Sequence, residues 1–193
     1  MYRFVALIAR LLLPLFFRIS FSGREHVPSQ GGAVLACNHV SWLDVIFLAY
    51  AVQPRPVHYM AKRELFQHKL IARFLRSIHA FPVNRENPGP SALKTPLQLL
   101  REGKVVGIFP GGTRKSEDIA LKQGAVTIAL RADVPLIPAR YRGPLRLRIS
   151  YLFRRPEVSI QFMPALEMPQ EADRKQTQLL ATQRLSELLG GIV

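Results

Sequence analysis

The stretch Asn38-His39-Val40-Ser41-Trp42-Leu43-Asp44-Val45 contains an imidazole and a carboxylate five positions apart, where an apolar run gives way to a helix-like one. An imidazole held by a carboxylate has its tautomer set and its protonated form stabilised, as a general base requires. The same spacing serves a structural purpose. Ser41 is a natural N-cap, and Ser41-x-x-Asp44 is a capping box with aspartate in place of the usual glutamate. From these residues alone, His39 and Asp44 are either a proton-transfer pair or a loop residue and a helix cap. Ser41 lacks the surroundings of a nucleophile elbow and reads as a cap.

A second stretch with chemical content is Gly107-Ile108-Phe109-Pro110-Gly111-Gly112-Thr113-Arg114-Lys115. A buried-type strand ends at Phe109, and the glycine pair makes a tight turn before two cations. Backbone N–H groups and the Arg114 guanidinium can there converge on one anion. No Gly-Lys-Ser/Thr follows at P-loop spacing. A tight turn carrying a solvated arginine accounts for the fragment equally well.

Together the two stretches resemble the glycerolipid acyltransferase family, specifically its 1-acylglycerol-3-phosphate acyltransferases. The likeness runs from about Phe21 to Gly143. It takes in Met60-Ala61-Lys62-Arg63-Glu64-Leu65-Phe66, Phe81-Pro82-Val83-Asn84-Arg85 and Val134-Pro135-Leu136-Ile137-Pro138. The resemblance implies His39 as general base and Asp44 as its orienting carboxylate. It implies Lys62, Arg85 and Arg114 as holders of the acceptor's phosphate, Gly111, Gly112 and Thr113 as the phosphate-binding turn, and Pro138 as apolar wall near an acyl chain. The implied substrates are lysophosphatidic acid and an acyl donor, acyl-CoA or acyl-carrier protein, with no further cofactor. One position departs from the family pattern. Gly111 stands where a glutamate is usual, which leaves room for another lysolipid acceptor such as a lyso-ornithine lipid.

The elements that must position these residues read as α/β. Short apolar runs at Ala33–Cys37, Val57–Met60, Ile78–Val83, Val105–Phe109 and Leu136–Ala139 are strand-like. Helical patterns at Trp42–Val52, Glu64–Arg76, Ser91–Arg101 and Ile119–Arg131 alternate with them. Leu145–Tyr151 and Val158–Phe162 alternate like partly exposed strands, and Glu171–Leu189 reads as a closing helix. The expected fold is a mixed, largely buried sheet flanked by helices, similar to glycerol-3-phosphate acyltransferases. Residues 1–20 are expected as a membrane-interface helix and 21–193 as one acyltransferase domain.

Composition narrows the partners. The 193 residues carry a net charge of +14 with 48% hydrophobic residues, a balance that favours an anionic lipid surface over a small nucleic-acid module. Hydrophobic residues near the start are interrupted by Arg3, Arg10, Arg18 and Pro14, so the run falls short of the ~20 needed to span a bilayer. An interfacial helix at the cytoplasmic face of the cell membrane, peripheral or monotopic, is the expectation. Arg140, Arg142, Arg146 and Arg148 are expected to face anionic lipid. The competing class is a basic nucleic-acid-binding module, but no zinc-finger, helix-turn-helix or RNA-binding motif supports it, and no nucleic-acid partner is expected. Cys37 is the sole cysteine, which excludes an internal disulfide. The histidines are scattered and no metal site is expected.

Overall fold

The computed structural model describes residues 2–83, 91–110, 115–168 and 173–190. In chain order the elements are α1 (Tyr2–Phe16), β1 (Arg18–Ser22), β2 (Ala33–Cys37), α2 (Trp42–Ala51), β3 (Val57–Lys62), α3 (Lys69–Ser77), β4 (Ala80–Val83), α4 (Ser91–Arg101), β5 (Val105–Ile108), α5 (Lys115–Ala132), β6 (Leu136–Arg142), α6 (Tyr151–Arg154), β7 (Glu157–Phe162) and α7 (Arg174–Leu188). The strands form one sheet in the order β1-β7-β6-β2-β5-β3-β4. Strands β6, β2, β5, β3 and β4 are mutually parallel, whereas β7 runs antiparallel to β6 and carries β1 alongside it.

Strand β2 lies at the centre, and all five of its residues are buried. A parallel strand covered on both faces needs apolar side chains pointing both ways, which is why Ala-Val-Leu-Ala-Cys is unbroken rather than alternating. Ala33, Leu35 and Cys37 face the layer containing Leu43, Phe47 and Leu48 of α2. Val34 and Ala36 face the layer containing Val126 and Ile128 of α5 and Leu185 of α7. The helices that follow β2 and β5 therefore depart to opposite faces of the sheet from two adjacent strands. In open α/β sheets such a divergence opens a crevice at the carboxyl ends of the strands.

Several boundaries shift by a few residues from expectation, and three departures are larger. The N-terminal helix stops at Phe16, and Arg18–Ser20 already belong to β1, whose register with β7 pairs Arg18 with Glu157. Glu64–Arg76 is not one helix but a short 3-10 turn followed by α3. Phe66 packs inward, whereas Leu70 and Phe74, four and eight positions on, point to solvent. Leu145–Tyr151 forms no strand. Both edges of β6 and of β7 are already taken by neighbours, so neither of the strands it connects offers it an edge. No helix among the described residues is long and apolar enough to cross a membrane.

Candidate active site

The carboxyl ends of β2 and β5 carry the two stretches singled out in the sequence. His39 leaves β2 just before α2, and Asp44 sits in the first turn of that helix. The imidazole Nδ1 lies 3.0 Å from Oδ1 and 3.2 Å from Oδ2 of Asp44. A carboxylate accepts only, so Nδ1 carries the proton and donates it, which leaves Nε2 with a free lone pair. Asp44 is fully buried, while the His39 side chain is 35% exposed. The anchor is out of water and the working end of the imidazole is in reach of it.

The capping reading holds as well. The Asp44 carboxylate also accepts from the backbone N–H of Val40 at 2.9 Å and of Ser41 at 2.8 Å, while Ser41 Oγ accepts from Leu43 N at 3.1 Å. Three donors thus satisfy a carboxylate that would be costly to bury unpaired. Its place in the first turn also puts it against the positive end of the α2 dipole. The cap and the His39–Asp44 contact share one carboxylate, so the capping reading does not exclude the proton-transfer one.

Asn38, which sequence reasoning passed over, fixes the loop from behind. Its Oδ1 accepts from Tyr141 N at 2.6 Å and its Nδ2 donates to Tyr141 O at 3.1 Å. A side-chain amide, with a donor and an acceptor, continues the β2–β6 ladder past Cys37 while the backbone turns away to present His39. An asparagine ending an apolar strand was the only available signal. Ser41 Oγ reaches the Leu145 carbonyl at 2.8 Å, a tie that joins α2 to the connection after β6. Cys37 is buried beneath the loop, and burial pushes its thiol well above the ordinary range, with the Asp44 charge adding to the rise. It is not a candidate nucleophile.

Strand β5 brings the glycine-rich stretch to the same place. Ala36 pairs with Ile108, and the Phe109 ring lies 5.3 Å from that of His39. Gly107 allows the Tyr59 ring to cross β5, where it sits 5.7 Å from Phe109. Gly111, Gly112, Thr113 and Arg114 lie outside the described residues, between Pro110, which follows Phe109, and the start of α5. Lys62 is exposed at the carboxyl end of β3, on the same edge of the sheet. Arg85 also lies outside the described residues, following β4. Pro138 is buried within β6, paired with Ala36. An apolar cavity of about 300 Å³ runs between α1 and α2 and is lined by Leu12, Leu13, Val45, Ile46, Ala49 and Tyr59 among others. No group of three or more potential metal ligands occurs among the described residues.

Comparison with known proteins gives the family and the fold. The family model described as Acyltransferase matches residues 18–142. A 1-acyl-sn-glycerol-3-phosphate acyltransferase of Bacillus subtilis (strain 168) is 54% identical over 144 residues, 75% of this chain and 72% of the relative. One from Streptococcus pneumoniae (strain ATCC BAA-255 / R6) is 34% identical over 158 residues, 81% of this chain and 58% of the relative. The crystal structure of the 1-acyl-sn-glycerophosphate (LPA) acyltransferase PlsC from Thermotoga maritima superposes with a TM-score of 0.67 at 17% identity, covering 99% of this chain and 79% of that one. At that identity the likeness bears on the fold, while the matched segment spans every element that holds His39 and Asp44. This chain belongs to the acyltransferase family.

Proposed function

We propose that the protein transfers a fatty acyl group from an acyl thioester to the free sn-2 hydroxyl of 1-acylglycerol-3-phosphate, giving phosphatidic acid. The observation that carries this reading is the His39–Asp44 pair, at 3.0 Å with the carboxylate buried and the imidazole open. Nε2 takes the hydroxyl proton as the acceptor oxygen bonds to the thioester carbonyl carbon. The C–S bond then breaks, and the imidazolium returns its proton to the thiolate of coenzyme A or acyl-carrier protein. Asp44 stabilises the imidazolium between the two transfers. Base catalysis of this kind contributes ~10²–10⁴-fold, and positioning supplies much of the rest.

The acceptor phosphate is assigned to Lys62, Arg85 and Arg114 with the turn Gly111–Thr113, an assignment that rests on the family motifs and on the strand ends that lead to them. The cavity between α1 and α2 suits a hydrocarbon chain, because none of the described residues lining it is charged. The outward side of α1, with Phe4, Leu7, Leu11 and Leu15 exposed, is assigned to the surface of the membrane that holds the lysolipid.

The test is thiol release from acyl-CoA and from acyl-carrier protein against a panel of lysolipids, with Arg114→Ala run in parallel. Release is expected with lysophosphatidate, and the Arg114→Ala protein is expected to show an acceptor KM raised about tenfold or more. Faster release with lyso-ornithine lipid would reassign the acceptor and would give Gly111 its explanation.

A further inference from the structure

The segment after β6 gathers large apolar side chains and arginines on one exposed connection. Leu145, Ile149 and Phe153 are 62%, 86% and 85% exposed, and Arg146, Arg148 and Arg154 are exposed among them. The ion pairs found among the described residues are His39–Asp44 and Lys104–Glu102, so no described carboxylate neutralises these arginines. A contiguous apolar patch of this kind marks a surface that meets an apolar phase, and unpaired arginines within it select a negatively charged one.

The segment is held in place. Tyr151 packs on Phe17 with ring centroids 5.8 Å apart, the Arg155 guanidinium donates to Pro14 O at 2.7 Å, and the Tyr141 hydroxyl donates to Pro144 O at 3.0 Å. These contacts set it against the carboxyl end of α1, where Leu11 and Leu15 are exposed. On its other flank, the Leu145 carbonyl accepts from Ser41 Oγ at 2.8 Å. The two residues beside Ser41, Val40 and Trp42, are themselves 50% and 54% exposed. The apolar rim therefore runs from α1, through the connection after β6, to the loop that carries His39.

We propose that Leu145–Phe153 is a second bilayer contact, which seats the His39 loop against an anionic leaflet so that the acceptor lipid reaches the imidazole without passing through water. The assignment of the acceptor as a lipid rests on the function proposed above. The bilayer contact itself does not, because it is read by binding.

The experiment compares the wild type with Ile149→Asn/Phe153→Asn, both of which change exposed positions, and with Arg146→Glu/Arg148→Glu. Each is floated with vesicles of phosphatidylcholine alone and of equimolar phosphatidylcholine and phosphatidylglycerol. Turnover is measured on lysophosphatidate in the anionic vesicles and on a water-soluble short-chain lysophosphatidate. The asparagine pair is expected to weaken flotation about tenfold and to lower turnover in vesicles to a similar degree. Its kcat/KM on the soluble acceptor should stay within about twofold, since neither residue touches the pair. The glutamate pair is expected to lose binding to anionic vesicles and not to neutral ones. Flotation and vesicle turnover equal to wild type in the asparagine pair would overturn the contact. So would loss of a dimer with flotation unchanged, which would give the surface to a second copy of the chain. A wild type that floats through these residues yet acylates neither acceptor would refute the lysolipid reading and leave the contact standing.

Discussion

One Asp44 carboxylate both caps the start of α2 and meets His39 Nδ1, and the cap can be separated by substitution from the orienting role proposed for it. Asp44→Asn keeps the size of the side chain and one oxygen able to cap Ser41 N, but it removes the charge and offers N–H where Nδ1 needs an acceptor. Turnover is expected to fall ~10²–10⁴-fold through the wrong tautomer, with a stability loss of about 1–2 kcal/mol. Ser41→Ala should cost about 1 kcal/mol and keep kcat within about twofold. Turnover and denaturant midpoints on the two proteins make the comparison, and a fast Asp44→Asn enzyme would reduce the pair to a helix cap. Both sets of contacts were legible in the spacing of His39, Ser41 and Asp44. Their coexistence was not, because spacing does not tell how many donors converge on a carboxylate. Asn38 was hidden for a related reason. Its partner, Tyr141, lies 103 positions away and becomes a neighbour only through the pairing of β2 with β6.

At the scale of elements, the strands that end at the site were readable because a fully buried parallel strand is a short apolar run between turns. Ala33–Cys37 and Ser91–Arg101 coincide with β2 and α4 to the residue. The errors share one cause: a pattern reports periodicity, not what lies opposite. Leu145–Tyr151 alternates as a strand does, but neither β6 nor β7 has a free edge for it, and Leu70 and Ile71 of the apolar stripe of α3 are exposed. Gly107 shows the converse, a residue with no pattern and a clear function. A Cβ there would stand 2.8 Å from Cε1 of the Tyr59 ring and 2.9 Å from a methyl of Val57. Gly107→Ala is expected to cost about 1–3 kcal/mol in chemical denaturation and to lower turnover, by shifting Tyr59 and, through it, the Phe109 ring that flanks His39. Stability and rate unchanged together would show that this aromatic row does not position the imidazole.

The whole molecule places the sheet edge that carries His39 and its basic, apolar rim at the same end of the sheet, and it docks the start of α1 at the other. There the Tyr2 ring lies 4.7 Å from that of His79, which is itself 4.7 Å from that of His58. Burial, with the neighbouring His79 adding to it, holds the His58 imidazole down at about 4, against an ordinary value of 6.5; burial likewise lowers His79. Above 6.5 the His58 ring is neutral folded and unfolded. As the pH falls from 6.5 toward 4, the unfolded chain takes up a proton that the folded chain excludes, so stability is lost over that window. Unscreened, the loss by pH 4 is on the order of 3 kcal/mol, and solvent screening brings it to roughly 2 kcal/mol. Denaturant midpoints taken across it should decline for the wild type and decline less for His58→Leu. Equal slopes would remove His58 as the cause.

The most direct test of the account is thiol release by the His39→Ala protein, measured beside the wild type and Ser41→Ala with saturating acyl thioester and lysophosphatidate. The account predicts a folded His39→Ala protein with wild-type thermal stability to within about 1 kcal/mol and a rate lower by ~10²-fold or more, while Ser41→Ala stays active. A His39→Ala protein that releases thiol at the wild-type rate would contradict it.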